Sequence, residues 1–189
     1  MSASSGSYDT VRPLRRPLRV LFLCTRNSAR SQIAEAVMES TIDRMARGRF
    51  EVASAGATPA PSVHPLALQA LSDFGIDWSA ARPKSIDSVC DQRWDLIITV
   101  CDRAKETCPV FPGQPAFAHW GMDDPSDVIG GDDTRRRAFR DVVNHLGRRI
   151  DLLLALPVER LERVALERRA QAIADDVPVR RSTAALELE

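Results

Sequence analysis

The chain commits itself early. Leu18 to Leu23 (LRVLFL) is a nearly unbroken apolar run, the pattern of a strand buried on both faces of a parallel sheet. Cys24-Thr25-Arg26-Asn27-Ser28-Ala29-Arg30-Ser31 follows without a spacer. From Ser31 to Ala46, apolar residues then recur at Ile33, Val37, Met38, Ile42 and Met45, a spacing that predicts an amphipathic helix. Strand, loop and helix in immediate succession leave few folds open. They also place a cysteine where a helix N-terminus and a strand end meet.

The remaining pattern repeats this alternation. Phe50 to Ala55 reads as a short strand, closed by Gly56 and a proline-rich stretch through Pro65. Leu66 to Phe74 reads as a helix with Gly75 as its C-terminal cap. Asp95 to Val100 is a second buried strand with Cys101 at its end, and Ala116 to Trp120 a shorter one before the acidic turn Gly121 to Asp127. Thr134 to Leu156 carries Phe139, Val142, Val143, Leu146, Ile150, Leu153 and Leu154 at helical spacing, and Pro157 breaks it. Strands alternating with helices imply a parallel sheet with helices on both faces, with ligands bound beyond the carboxyl ends of the strands. Residues 1–16 read as a disordered lead-in, 17–156 as one domain and 157–189 as a helical extension packed on it, with a partner-binding helix as the rival reading of that extension.

With 26 basic and 26 acidic residues, nothing points to nucleic acid. No apolar run approaches 18 residues and no signal peptide is evident, so a cytoplasmic enzyme without membrane contact is expected. Cys24, Cys90, Cys101 and Cys108 contain no CxxC pair, so neither a zinc site nor another metal site is assigned, and no cofactor is expected.

The chemistry sits in the loop. Five residues separate Cys24 from Arg30, enough to curl a run of backbone N–H groups around a tetrahedral oxyanion. The helix dipole adds positive potential there, and Arg30 can close the cradle with a bidentate fork. That field is expected to lower the Cys24 pKa and free the nucleophilic thiolate. Thr25, Arg26, Asn27, Ser28, Ala29, Arg30 and Ser31 are therefore the expected oxyanion-binding residues, with Ser31 donating to the sulfur and Asn27 bracing the loop. Arg26 and Ala29 are placed on its rim.

VLFLCTRNSARSQIAEA resembles the N-terminal signature of the low-molecular-weight protein tyrosine phosphatases, and in particular the arsenate reductases built on that fold. The likeness continues at Ser54-Ala55-Gly56, at the strand into Cys101 and at His119-Trp120-Gly121 leading to Asp124-Pro125, covering roughly residues 18–156. It implies a three-layer α/β/α fold around a four-stranded parallel sheet, with Asp124 as general acid and Asp123 as fallback. Phosphatases of this family place an aromatic residue soon after Asp-Pro; this chain has Ser126-Asp127-Val128.

Cys101-Asp-Arg-Ala-Lys-Glu-Thr-Cys108 is similar to the redox segment of thioredoxin-coupled arsenate reductases. The resemblance implies a relay in which Cys24 attacks arsenate, Cys101 attacks Cys24 with release of arsenite, and Cys108 attacks Cys101. Thioredoxin would then reduce the disulfide, with phosphate and sulfate as competing oxyanions. Were residues 101–108 helical, the two cysteines would lie ~10 Å apart along the axis, whereas disulfide Cα atoms lie about 4.4–6.8 Å apart. A loop, or a helix that unwinds, is expected between residues 101 and 115. The alternative is a phosphatase hydrolysing aryl phosphates through a Cys24 phosphocysteine. Asn27, Glu35, Ser54 and Asp77 match positions that hold potassium in some relatives, with no site assigned. His64, His119 and His145 read as structural or surface residues, and Cys90 as a bystander.

Overall fold

In the computed structural model, residues 16–106 and 109–178 are described. Four strands, β1 (Leu18–Cys24), β2 (Phe50–Gly56), β3 (Leu96–Thr99) and β4 (Ala116–His119), form one sheet in the order β2-β1-β3-β4. All pairings are parallel. The chain steps from β1 outward to β2, then returns to the other side of β1 for β3. This reversal opens a crevice between the carboxyl ends of β1 and β3, and Cys24 and Cys101 stand at those two ends.

The helices are α1 (Arg30–Met45), α2 (Pro65–Asp73), α3 (Asp102–Glu106), α4 (Asp132–Leu154) and α5 (Arg163–Asp176). Alternation along β1 divides its side chains between two apolar layers. Val20 and Phe22 join Ile33 and Met38 of α1, Phe139 and Leu146 of α4 and Leu166 of α5. Leu21 and Leu23 face the smaller layer, closed by Val89, Trp94 and Phe111 from irregular segments. The sheet is thus flanked by helices, most heavily on one face. Gly75 ends α2 as its spacing implies: at φ +76° it bonds back to Ser72 O, while Ile76 N reaches Leu71 O, the paired bonds of a left-handed C-cap.

Arg16, the first described residue, makes two 2.7 Å bonds to the Asp95 carboxylate and so belongs with the domain, where the sequence reading had put it in the lead-in. Of the two alternatives for the segment after Cys101, a loop or a helix that unwinds, it begins as the short helix α3, whose first residue Asp102 accepts from His119 Nε2 at 3.0 Å. Cys108 lies outside the described residues.

Helix α5 is fastened to the domain by polar contacts the sequence does not announce. The Trp120 indole N–H donates to Ala170 O at 2.8 Å, and Gln171 Oε1 accepts from His119 N at 2.8 Å. Arg149, 2% exposed, donates to the carbonyls of Trp120, Ala174 and Val177. Removing its guanidinium strands buried carbonyls without donors. Arg149→Met is expected to destabilise the fold by about 2–4 kcal/mol, measured by urea unfolding. A change below about 0.5 kcal/mol, the range of ordinary surface substitutions, would show that Arg149 does not clamp α5.

Candidate active site

The loop between β1 and α1 is shaped from outside. Its carbonyls are taken by the segment that follows β2: Thr58 N donates to Thr25 O at 2.8 Å, Ala60 N to Arg26 O at 2.9 Å and His64 N to Ser28 O at 2.8 Å. Because a trans peptide sets its C=O and N–H on opposite sides, turning these carbonyls outward turns the next amides inward. Asn27 N–H shows the result directly, reaching Cys24 Sγ at 3.0 Å.

Asn27 makes the turn possible. Its backbone lies at φ +45°, a conformation Asn tolerates better than most residues. The buried side chain is bonded at both ends. Nδ2 donates to Ser31 Oγ (2.9 Å) and Ser54 Oγ (2.7 Å), while Oδ1 accepts from Gln32 Nε2 (3.0 Å) and Lys84 N (2.6 Å). Gly56 gives the turn its room, since a Cβ there would stand 2.7 Å from Asn27 N and 2.8 Å from Thr25 O. Behind them, Ser54 donates to Glu35 Oε2 (2.6 Å) and Lys84 Nζ bridges both Glu35 oxygens at 3.0 and 2.9 Å. Asn27, Glu35 and Ser54 therefore do come together, with the Lys84 ammonium on their carboxylate. Asp77 stands apart, accepting from Ser79.

Cys24 and Cys101 are both free thiols, 4% and 5% exposed, lining one cavity of about 560 Å3. Thr25 Oγ1 lies 3.5 Å from Cys101 Sγ. Ser31 Oγ sits 2.9 Å from Cys24 Sγ and accepts from Asn27 Nδ2, which leaves its own hydrogen free to donate to a thiolate there. The expected lowering of the Cys24 pKa is not what the anion-free site shows. Burial pushes the thiol up; bonds from Ser31 and the Asn27 amide, and the Arg30 charge, pull it down without fully offsetting burial. Spacing reveals the donors but not the depth.

Arg30 closes the cavity wall. One guanidinium nitrogen donates to Met122 O at 2.8 Å and another pairs with Asp124 Oδ2. The second Asp124 oxygen accepts from Ser126 N at 3.0 Å. Asp123 also lines the cavity, but Asp124 holds the arginine. Arg26 is exposed at the rim as expected, whereas Ala29 is buried at 7% where α1 begins, so it belongs to the cavity wall. The first turn of α1 carries no acidic side chain, so nothing there neutralises the positive end of its dipole.

His64 is structural, as read, and it also lines the same cavity, its ring stacked on Phe139 with centroids 4.6 Å apart. The available signal was its place immediately before Pro65, an N-cap position in which the side chain accepts from Leu66 N. His119 does prove structural, bonded to Thr99 Oγ1 and Asp102, and His145 faces solvent.

A buried thiol under a loop whose amide turns onto it, with an arginine and a carboxylate lining the same cavity, on a four-stranded parallel sheet, is the architecture of a phosphatase-like class of proteins. The chain belongs to the low molecular weight phosphotyrosine protein phosphatase family, whose model matches residues 19–171. Within it, an arsenate reductase of Halalkalibacterium halodurans is 37% identical over 131 residues, 69% of this chain and 91% of the relative. One from Bacillus subtilis is 34% identical over the same shares. Among solved structures, an arsenate reductase in its oxidised state aligns with TM-score 0.60 and 28% identity over 72% of this chain and 96% of that one. A tyrosine phosphatase from Vibrio cholerae, 22% identical over 69% and 90%, shares the fold with TM-score 0.57.

The thiol environment makes a prediction with a definite sign. A raised pKa means that the thiolate fraction, and with it alkylation of Cys24, keeps rising with pH past the ordinary thiol range. Ser31→Ala removes a donor to the sulfur and is expected to slow Cys24 alkylation at pH 8 several-fold, roughly the loss of one hydrogen bond to a charged group. Peptide mass spectrometry after timed iodoacetamide pulses reads both. A Cys24 rate that levels off below pH 7 contradicts this assignment.

Proposed function

We propose that this chain reduces arsenate to arsenite through a relay of cysteine thiols, contributing to arsenic detoxification. The observation that carries the reading is the second buried thiol, Cys101, on the wall of the Cys24 cavity. A hydrolytic phosphatase needs one sulfur. Two facing the same oxyanion cradle suit a reaction that ends with a disulfide.

The Cys24 thiolate attacks arsenic(V), held by the inward amides of the loop and by Arg30, and displaces water as Asp124 protonates the departing oxygen. The Cys101 thiolate then attacks Cys24 Sγ. The S–As electron pair passes to arsenic, arsenite leaves, and a Cys24–Cys101 disulfide remains. Cys108 attacks Cys101, restoring the Cys24 thiolate and leaving a Cys101–Cys108 disulfide for an external dithiol. Thioredoxin fits that role, and support comes from a thioredoxin-dependent arsenate reductase of Corynebacterium glutamicum, 30% identical with TM-score 0.50 over 74% of this chain and 64% of that one. Oxyanion binding is supported by the likeness to an arsenate reductase solved in its phosphate-binding state, 27% identical with TM-score 0.57 over 73% of this chain and 97% of that one. The cytoplasm, where thiols are kept reduced, is the compartment we assign; among the described residues no helix is long and apolar enough to cross a membrane.

The cavity also speaks against aryl phosphates. Ser126 and Asp127 line it, and among the described residues no Phe, Tyr or Trp does so to sandwich a phenyl ring. Arg30 is paired with Asp124 on the wall of this cavity, so oxyanion and carboxylate compete for one guanidinium.

Arsenate-dependent NADPH oxidation, coupled through thioredoxin and its reductase, tests the relay. Cys101→Ser and Cys108→Ser are each expected to lose steady-state turnover by at least a hundredfold; full activity in both would rule the relay out. Asp124→Asn separates acid catalysis from binding. It is expected to cut turnover by ~10²–10⁴, the usual worth of a general acid, while phosphate binds at least as tightly because Arg30 is released.

A further inference from the structure

Inside the same cavity lies a polar group that the relay does not use. His64 caps α2 through Nδ1, which accepts the Leu66 amide hydrogen at 3.1 Å. A nitrogen that accepts carries no proton, so the neutral ring must hold its hydrogen on Nε2. Among the described residues, the bond to Leu66 is the only hydrogen bond the ring makes. Stacking on Phe139 at an interplanar angle of 23° fixes the plane of the ring. Its own backbone N–H is bonded to Ser28 O, which ties the residue to the oxyanion loop itself. The ring is thus fixed in tautomer, plane and position, with one donor left over.

We propose that His64 Nε2–H is a further oxyanion donor, binding a peripheral oxygen of the tetrahedral anion held over Cys24. The inference rests on the arsenate reductase reading for its substrate, but on the cavity alone for its ligand class. The groups facing the ring agree with a neutral donor. Burial lowers its pKa from the ordinary imidazole value; Asp124 opposes that and Arg26 reinforces it. Near neutral pH the ring therefore donates without adding a charge, and protonation of Nδ1 would forfeit the helix cap. The loop amides and Arg30 hold the oxygens nearest the sulfur. A donor in the same cavity, within the influence of Asp124, would orient a peripheral oxygen.

Asn and Ser both cap helices well, so His64→Asn and His64→Ser keep α2 while removing the ring donor. Inorganic phosphate titrated calorimetrically into the reduced full chain is expected to bind each variant roughly tenfold more weakly than wild type, the scale of one hydrogen bond to a charged group. KM for arsenate should rise in proportion, with thermal stability within a few degrees of wild type. In wild type, the ¹⁵N-edited His64 Nε2–H resonance should shift when phosphate is added. Unchanged phosphate affinity in both variants, or a ring resonance indifferent to phosphate, overturns the proposal; lower stability with unchanged affinity does the same by assigning His64 to capping alone. Should wild type bind phosphate yet fail to reduce arsenate, the reductase reading falls while the affinities still decide the role of His64.

Discussion

The site depends on hydrogen bonds that never touch the cavity. The amides of Thr58, Ala60 and His64 seize the carbonyls of Thr25, Arg26 and Ser28, and peptide planarity does the rest. With these three oxygens captured from behind, the amides that follow them are turned toward the cavity. Asn27 locks the turn with four side-chain bonds, and the missing Cβ of Gly56 lets β2 pass close enough for the clamp to form. A nest of amides would otherwise be one conformation among many for a short loop. Here the surrounding fold selects it before any ligand arrives, so no ordering is needed when the anion binds.

Charge is arranged on the same plan. The positive end of α1 and the guanidinium of Arg30 face the cavity, and Asp124 occupies Arg30 until an oxyanion does. The pair keeps a partly buried arginine neutralised and holds the Asp124 carboxyl on the wall of the Cys24 cavity. Deeper in the domain, Glu35 meets Lys84, so the carboxylate behind Asn27 and Ser54 is compensated within the chain. Burial of Cys24 works against ionisation, while Ser31 and Asn27 stand aligned to receive a thiolate.

Much of this was readable in the residues. Periodicity located every strand and the long helices, because core-facing spacing is a local property of sequence. Cys24, Arg30 and the bracing role of Asn27 followed from one short motif whose parts are neighbours in the chain. The backbone clamp was not readable, since amide hydrogen bonds leave no mark on side-chain identity. Nor were contacts closed by folding across long separations, such as Arg30 with Asp124 or Lys84 with Glu35. Depth misled twice: it raised the Cys24 pKa where the loop's charge alone implied a fall, and it buried Ala29 in a wall where the sequence reading had it on the rim. Helix α3 was missed because five residues are too few to show a period.

Two sulfurs on one cavity wall are what separate a reductase from a hydrolase on this fold. The most direct test is a single turnover of the Cys108→Ser protein with excess arsenate, quenched in acid and digested without reductant. The account predicts a peptide pair joined by a Cys24–Cys101 disulfide, together with one arsenite released per chain. Arsenate left unreduced with both thiols free, or a disulfide that omits Cys24, would contradict it.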